Sequence, residues 1–89
     1  MNLLSGPLGD STTRRLLVLV AQQRMQLRDL AMRTAENTVE PDLTETRRRL
    51  ETLKRAGLVA EASAPISTWS IYYATAHGLE VSRQLELTP

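Results

Sequence analysis

At Gly57 the apolar pattern of this chain changes period, and few small folds accommodate that change. From about Asp42 to Ala56, Leu43, Thr46, Leu50 and Leu53 recur at the three-to-four-residue spacing of one helix face. After Gly57, Leu58-Val59-Ala60-Glu61-Ala62 and Trp69-Ser70-Ile71-Tyr72-Tyr73 alternate in twos, as the arms of a hairpin do. Gly57 occupies the C′ position at which a helix closes, so the helix runs directly into the hairpin. Asp42 and Glu45, three positions apart, form a capping-box-like pair at the helix start, with Asp in place of Ser or Thr. Ser63 to Ser67 form the hairpin tip, with Pro65 where no ladder donor is needed. The alternation predicts Trp69, Ile71 and Tyr73 on the face that covers the core and Tyr72 on the outer face.

The segments before this junction read as helices. Met1 to Gly9 carries Gly6, Pro7 and Gly9 and is expected to be a flexible arm, so residues 1–10 are set apart from a domain over 11–87. Asp10, Ser11 and Thr12 offer N-cap oxygens to a first helix through Arg14 to Gln23. Its run Leu16 to Ala21 is six apolar residues long, wider than one contact face requires. A strand could also be written over Leu16 to Val20, but the cap before it and Ala21-Gln22-Gln23-Arg24 after it favour helix. Met25 to Leu27 alternates as a short extended connector. A second helix fits Arg28 to Thr34 or Ala35, with Leu30, Ala31 and Thr34 on its buried face. Glu36 to Pro41 reads as a turn, because Pro41 drives Glu40 out of the α region. Thr75 can cap a last helix from Ala76 or Gly78 to Leu87.

Charge is distributed unevenly. Every cation lies at or before Arg55 except Arg83, whereas Ala56 to Ser82 holds only Glu61 and Glu80, although the net charge is just +1. Any surface for phosphate must therefore come from the first two thirds of the chain. The absence of cysteine closes disulfide, thiolate-metal and thiol-redox functions. No run approaches the roughly 20 apolar residues of a membrane span, and Met1 to Pro7 lacks the pattern of a secretory signal, so a cytoplasmic protein with no membrane association is expected. His77, the single histidine, lacks partners for a metal or catalytic role and reads as a surface residue near a helix start. No phosphate loop, nucleophile elbow or metal spacing occurs. Neither an enzyme, nor a cofactor, nor a small-molecule effector is expected.

Three segments carry a resemblance. Leu50-Glu-Thr-Leu-Lys-Arg-Ala-Gly57-Leu-Val resembles the end of the recognition helix and the start of the wing in winged-helix regulators of the MarR and PadR type. Tyr73-Ala-Thr75-Ala-His-Gly78 is similar to the end of the wing and the entry to the final helix in those regulators, and Met25-Gln-Leu27-Arg-Asp-Leu30-Ala31 to their connector and second helix. The resemblance spans about residues 12 to 86. It implies a mainly α fold with a small β-hairpin (α+β), a winged helix-turn-helix ordered helix, short strand, helix, helix, two strands, helix. It also implies a transcriptional regulator that binds double-stranded DNA sequence-specifically. The tip Ser-Ala-Pro-Ile-Ser departs from relatives that carry Arg or Lys there, which lowers the expected affinity and salt dependence.

On a helical wheel stepped by roughly 100° per residue, Thr44, Arg48, Thr52 and Arg55 fall opposite Leu50, with Glu45 and Glu51 at the margins and Arg47 and Arg49 on the flanks. An arginine triplet is ordinarily a solvated helix face. On the third helix of such a domain it points to the major groove. Thr44 and Arg48 are the candidate base readers, with Glu45 as an acceptor from cytosine. Arg47, Arg49, Thr52 and Arg55, joined by Arg28 on the second helix, are the candidate phosphate ligands. Leu16, Leu17, Leu19, Val20, Leu79 and Leu85 exceed what so small a core needs and are the candidate homodimer residues. The competing reading is a winged-helix protein-interaction module that does not bind DNA, favoured by the uncharged wing.

Overall fold

A computed structural model describes residues 6–35, 43–63 and 70–87 of the 89-residue chain. Helix α1, Ser11–Gln22, begins where Asp10 caps it: the Asp10 carboxylate accepts from the Thr13 amide at 3.3 Å and from Thr13 Oγ1 at 2.7 Å. Strand β1, Met25–Gln26, leads into α2, Leu27–Thr34. Helix α3, Leu43–Arg55, is followed by β2, Val59–Ser63, and β3, Ser70–Ala74, and the last described element is α4, Ala76–Leu87. The strands form one antiparallel sheet in the order β1-β3-β2, with Met25 opposite Tyr72 and Glu61 opposite Tyr72 on the other side. The proposed start of the third helix at Asp42, the turn Glu36 to Pro41, the hairpin tip beyond Ser63 and Trp69 lie outside the described residues.

Helix α1 is the hub, touching α2, α3, α4 and β3. That explains its broad apolar run: Leu16 and Leu17 are fully buried and Val20 nearly so, packed with Leu30, Leu50, Leu53, Leu58, Val59 and Val81. Each such side chain removed from water contributes about 1.5–3 kcal/mol. Three of the residues expected at a dimer contact, Leu16, Leu17 and Val20, are thereby corrected to the core of the single chain. Of the other three, Leu19 and Leu85 are half-buried against that core and Leu79 is exposed.

The strand phase is the reverse of the expected one. Tyr72 is fully buried, and Ile71 and Tyr73 are half-buried on the outer face, where Arg24 lies over the Tyr73 ring at 5.0 Å. Alternation allows either phase, and pairing with β1 selects one, because Met25, itself buried, must share a face with Tyr72. A second difference lies at the chain start. Gly6–Gly9 form a 3-10 turn rather than a free arm, with Leu8 inserted in the core and its carbonyl accepting from Arg14 Nη1 at 2.7 Å.

Two of the sequence motifs meet in one junction. Gly57, at φ +77°, ends α3 in a Schellman turn in which its amide donates to the Lys54 carbonyl and the Leu58 amide to the Leu53 carbonyl. The Leu58 carbonyl in turn accepts from the Thr75 amide at 3.1 Å. Thr75 Oγ1 donates to the Gly57 carbonyl at 2.6 Å and accepts from the Gly78 amide at 3.0 Å, capping α4. A Cβ on Gly78 would stand 1.9 Å from the Leu58 oxygen, so only glycine lets α4 approach this closely. The junction sets the angle at which the hairpin leaves α3.

Candidate nucleic-acid interface

Helix α3 presents three surfaces besides its buried one. The buried side carries Thr46, Leu50 and Leu53. Opposite it, Thr44, Arg48 and Arg55 are exposed and Thr52 is half-exposed, its hydroxyl donating to the Arg48 carbonyl at 3.0 Å. These four residues occupy the side that the wheel assigns to them.

The two flanks are braced by ion pairs. Toward the wing, Lys54 Nζ bonds Glu61 at 2.8 Å and Glu51 at 3.2 Å, tying α3 to β2. Hydrogen bonding to Glu61 and then Glu51 raises the Lys54 pKa, and Lys54, with Ser70, holds the Glu61 carboxyl below its ordinary range. Arg47 is exposed on this flank, with no ion pair to another described residue. Toward the chain start, Arg49 Nε donates to Asp10 at 2.8 Å and Arg49 Nη2 approaches Glu45 at 3.4 Å. Asp10 is held below the carboxylate range by the Thr13 hydroxyl and by Arg49. Glu45 meets the Arg48 guanidinium along one edge, and that hydrogen bonding lowers the Glu45 pKa and raises that of Arg48.

The arginine triplet is therefore split among three tasks. Arg47 is exposed beside the wing, Arg48 points outward while held by Glu45, and Arg49, only 24% exposed, braces α3 against the cap of α1. The contact between Arg49 and Asp10 spans 39 positions and had no signal in the sequence; the Glu45 contacts follow the three- and four-residue spacing of a helix and could have been read. A depression of about 410 Å³ opens between Gly6, Pro7, Asp10 and Thr13 on one side and Arg48, Arg49 and Thr52 on the other. Arg28 is exposed on α2, and among the described residues no ion pair or hydrogen bond joins it to α3. His77 is exposed, as expected for a surface residue at a helix start.

Among the described residues there is no group of three or more His, Cys, Asp or Glu able to hold a metal ion, and no helix long and apolar enough to cross a membrane. No protein-family model matches the sequence, and no curated protein does. Solved structures do match. The zinc-responsive MarR family member ZitR of Lactococcus lactis superposes with a TM-score of 0.72 at 14% identity, over 86% of this chain and 51% of that one. The adhesin competence repressor AdcR of Streptococcus pyogenes gives 0.74 at 16%, over 88% and 54%. A homodimeric winged helix-turn-helix DNA-binding domain from Mycobacterium bovis gives 0.70 at 25%, over 91% and 67%. The chain thus spans about half the length of the ZitR and AdcR chains. Element order, sheet topology and these superpositions agree: the chain has the winged helix-turn-helix fold.

Proposed function

We propose that this domain binds double-stranded DNA sequence-specifically and acts as a small dimeric transcriptional regulator, with α3 in the major groove. The observation that carries this reading is the exposed face of α3, where Thr44, Arg48, Thr52 and Arg55 are left outward on a helix braced along both flanks. A groove about 12 Å wide admits such a helix. On this reading Thr44 and Arg48, in its first half, meet base edges, and Arg47, Thr52, Arg55 and Arg28 are the phosphate ligands. ZitR, AdcR and the M. bovis domain support the reading by analogy of fold.

Dimerisation rests on α4, where Leu79 and Leu87 are 44% and 79% exposed and Leu85 is half-buried. The M. bovis domain is itself homodimeric. A two-fold dimer presents two copies of α3 to half-sites one helical turn apart. Gel shifts with the sequence enriched from a random DNA pool test the assignment. Arg48→Ala abolishes preference for that sequence over a scrambled duplex, whereas Arg55→Ala weakens both alike. Equal binding by wild type and both variants contradicts it, and binding to neither duplex with retained capture of a protein partner favours the interaction-module reading.

A further inference from the structure

Glu45 uses both carboxylate oxygens on one guanidinium. Arg48 Nε lies 3.1 Å from each of Oε1 and Oε2, and Arg48 Nη2 also bonds Oε1. Of the five N–H groups in the fork, Nε–H and one N–H of Nη2 are used on Glu45; among the described residues no bond is made by Nη1, and the Arg48 side chain is 64% exposed. The carboxylate is itself fixed from behind. Arg49 Nη2 reaches Oε1 at 3.4 Å, Arg49 Nε is bonded to Asp10, and Asp10 is seated on the Thr13 amide and hydroxyl. A continuous chain of charge-assisted contacts, Asp10 to Arg49 to Glu45 to Arg48, therefore runs from the cap of α1 to the exposed face of α3.

From this geometry we infer that Glu45 and Arg49 are positioning residues which hold Arg48 end-on to read a guanine in the major groove through O6 and N7. The inference rests on the DNA-binding reading and deepens it. Glu45, expected from sequence to accept from cytosine, has its oxygens committed to arginine, and Arg49, expected at phosphate, is committed to carboxylates. The exposed ion pair between Glu45 and Arg48 contributes little to folding, so it can be altered without losing the domain. A long side chain with one edge clamped loses less freedom when it meets a base, which is how a contact of small stability value can matter to recognition.

The test uses the full chain and the duplex that wild type enriches from a random pool, with each guanine replaced in turn by 7-deazaguanine, which removes the N7 acceptor. Wild type is expected to lose roughly three- to tenfold in affinity at one guanine per half-site, the scale of one of the two hydrogen bonds in a bidentate base contact. Arg48→Ala and Glu45→Ala should both erase that penalty. Glu45→Ala should nonetheless hold a scrambled duplex at least as well as wild type, because a negative charge has been removed, and Glu45→Gln should keep only part of the penalty. An unchanged 7-deazaguanine penalty in Glu45→Ala overturns the positioning role alone. A discrimination lost at cytosine and kept at guanine shows that Glu45 reads a base directly, which overturns it also. Failure of wild type to bind any duplex overturns the DNA-binding reading itself.

Discussion

Replacing Gly78 by alanine separates two effects of opposite sign. In a free helix the change would stabilise, by at most about 1 kcal/mol. In this fold the new methyl would stand 1.9 Å from the Leu58 oxygen and 2.8 Å from its carbonyl carbon, both of them backbone atoms that no rotamer change can withdraw. Reaching even a 3.0 Å separation requires α4 and the start of β2 to part by about 1.1 Å. Three hydrogen bonds hold that gap closed: Thr75 amide to Leu58 carbonyl, Thr75 hydroxyl to Gly57 carbonyl, and Gly78 amide to Thr75 hydroxyl. Overpacking of this kind costs about 1–3 kcal/mol, and each weakened hydrogen bond adds about 0.5–1.5 kcal/mol. After the helix gain is offset, a net loss of roughly 2–6 kcal/mol remains, and with about 4–8 °C per kcal/mol for a domain of this size, Tm falls by at least roughly 8 °C. Thermal unfolding followed by circular dichroism at fixed protein concentration measures it. Gly57→Ala is the control: nothing lies within 4 Å of its added methyl, so only the left-handed backbone at φ +77° is strained, at about 1–2 kcal/mol. A Gly78→Ala variant with a Tm equal to or above wild type would refute the close-approach argument.

Other outcomes follow from the same contacts. Thr75→Ala should cost about 1–2 kcal/mol in chemical denaturation, whereas Thr75→Ser, which keeps the capping oxygen, should restore most of it. The buried Tyr72 hydroxyl has no hydrogen-bond partner among the described residues, so Tyr72→Phe should leave the denaturation midpoint unchanged or raised. Asp10, Glu45 and Glu61 have carboxyl pKa values lowered in the folded state, so the stability they contribute is present above about pH 4 and is lost as pH falls through the lowered values. Asp10→Asn with Glu61→Gln should therefore flatten stability between pH 5 and pH 2, as read by urea midpoints. Sedimentation should show Leu79→Glu with Leu87→Glu to be a folded monomer, while Leu16→Ala should lose about 2–5 kcal/mol of folding stability.

The elements were legible in the sequence because local signals agree with the fold: Asp10 before α1, Gly57 after α3 and Thr75 before α4 each act as caps where they stand. Contacts between distant segments were not legible. The phase of β3 depends on a two-residue strand that pairs Met25 with Tyr72. Leu8 joins the core from a segment whose glycines and proline suggest a free arm, and Arg14 fixes its carbonyl. The surplus of leucines in α1 looked like an interface because a central helix is covered from several sides, a circumstance that composition cannot distinguish from a partner's contact. At the candidate site, the outward face of α3 could be drawn on a wheel, but the separate duties of Arg47, Arg48 and Arg49 depend on what stands beside each. Asp10, 39 residues away, decides the last of them.

The salt dependence of duplex binding tests the central proposal most directly. With Arg28, Arg47 and Arg55 on phosphates in each of two protomers, the logarithm of the association constant should fall against the logarithm of salt concentration with a slope of about −5. Arg55→Ala should reduce that slope by about 2, one contact per protomer, with Tm unchanged. A slope near zero for wild type, or one that Arg55→Ala leaves intact, would contradict the assignment of α3 to DNA.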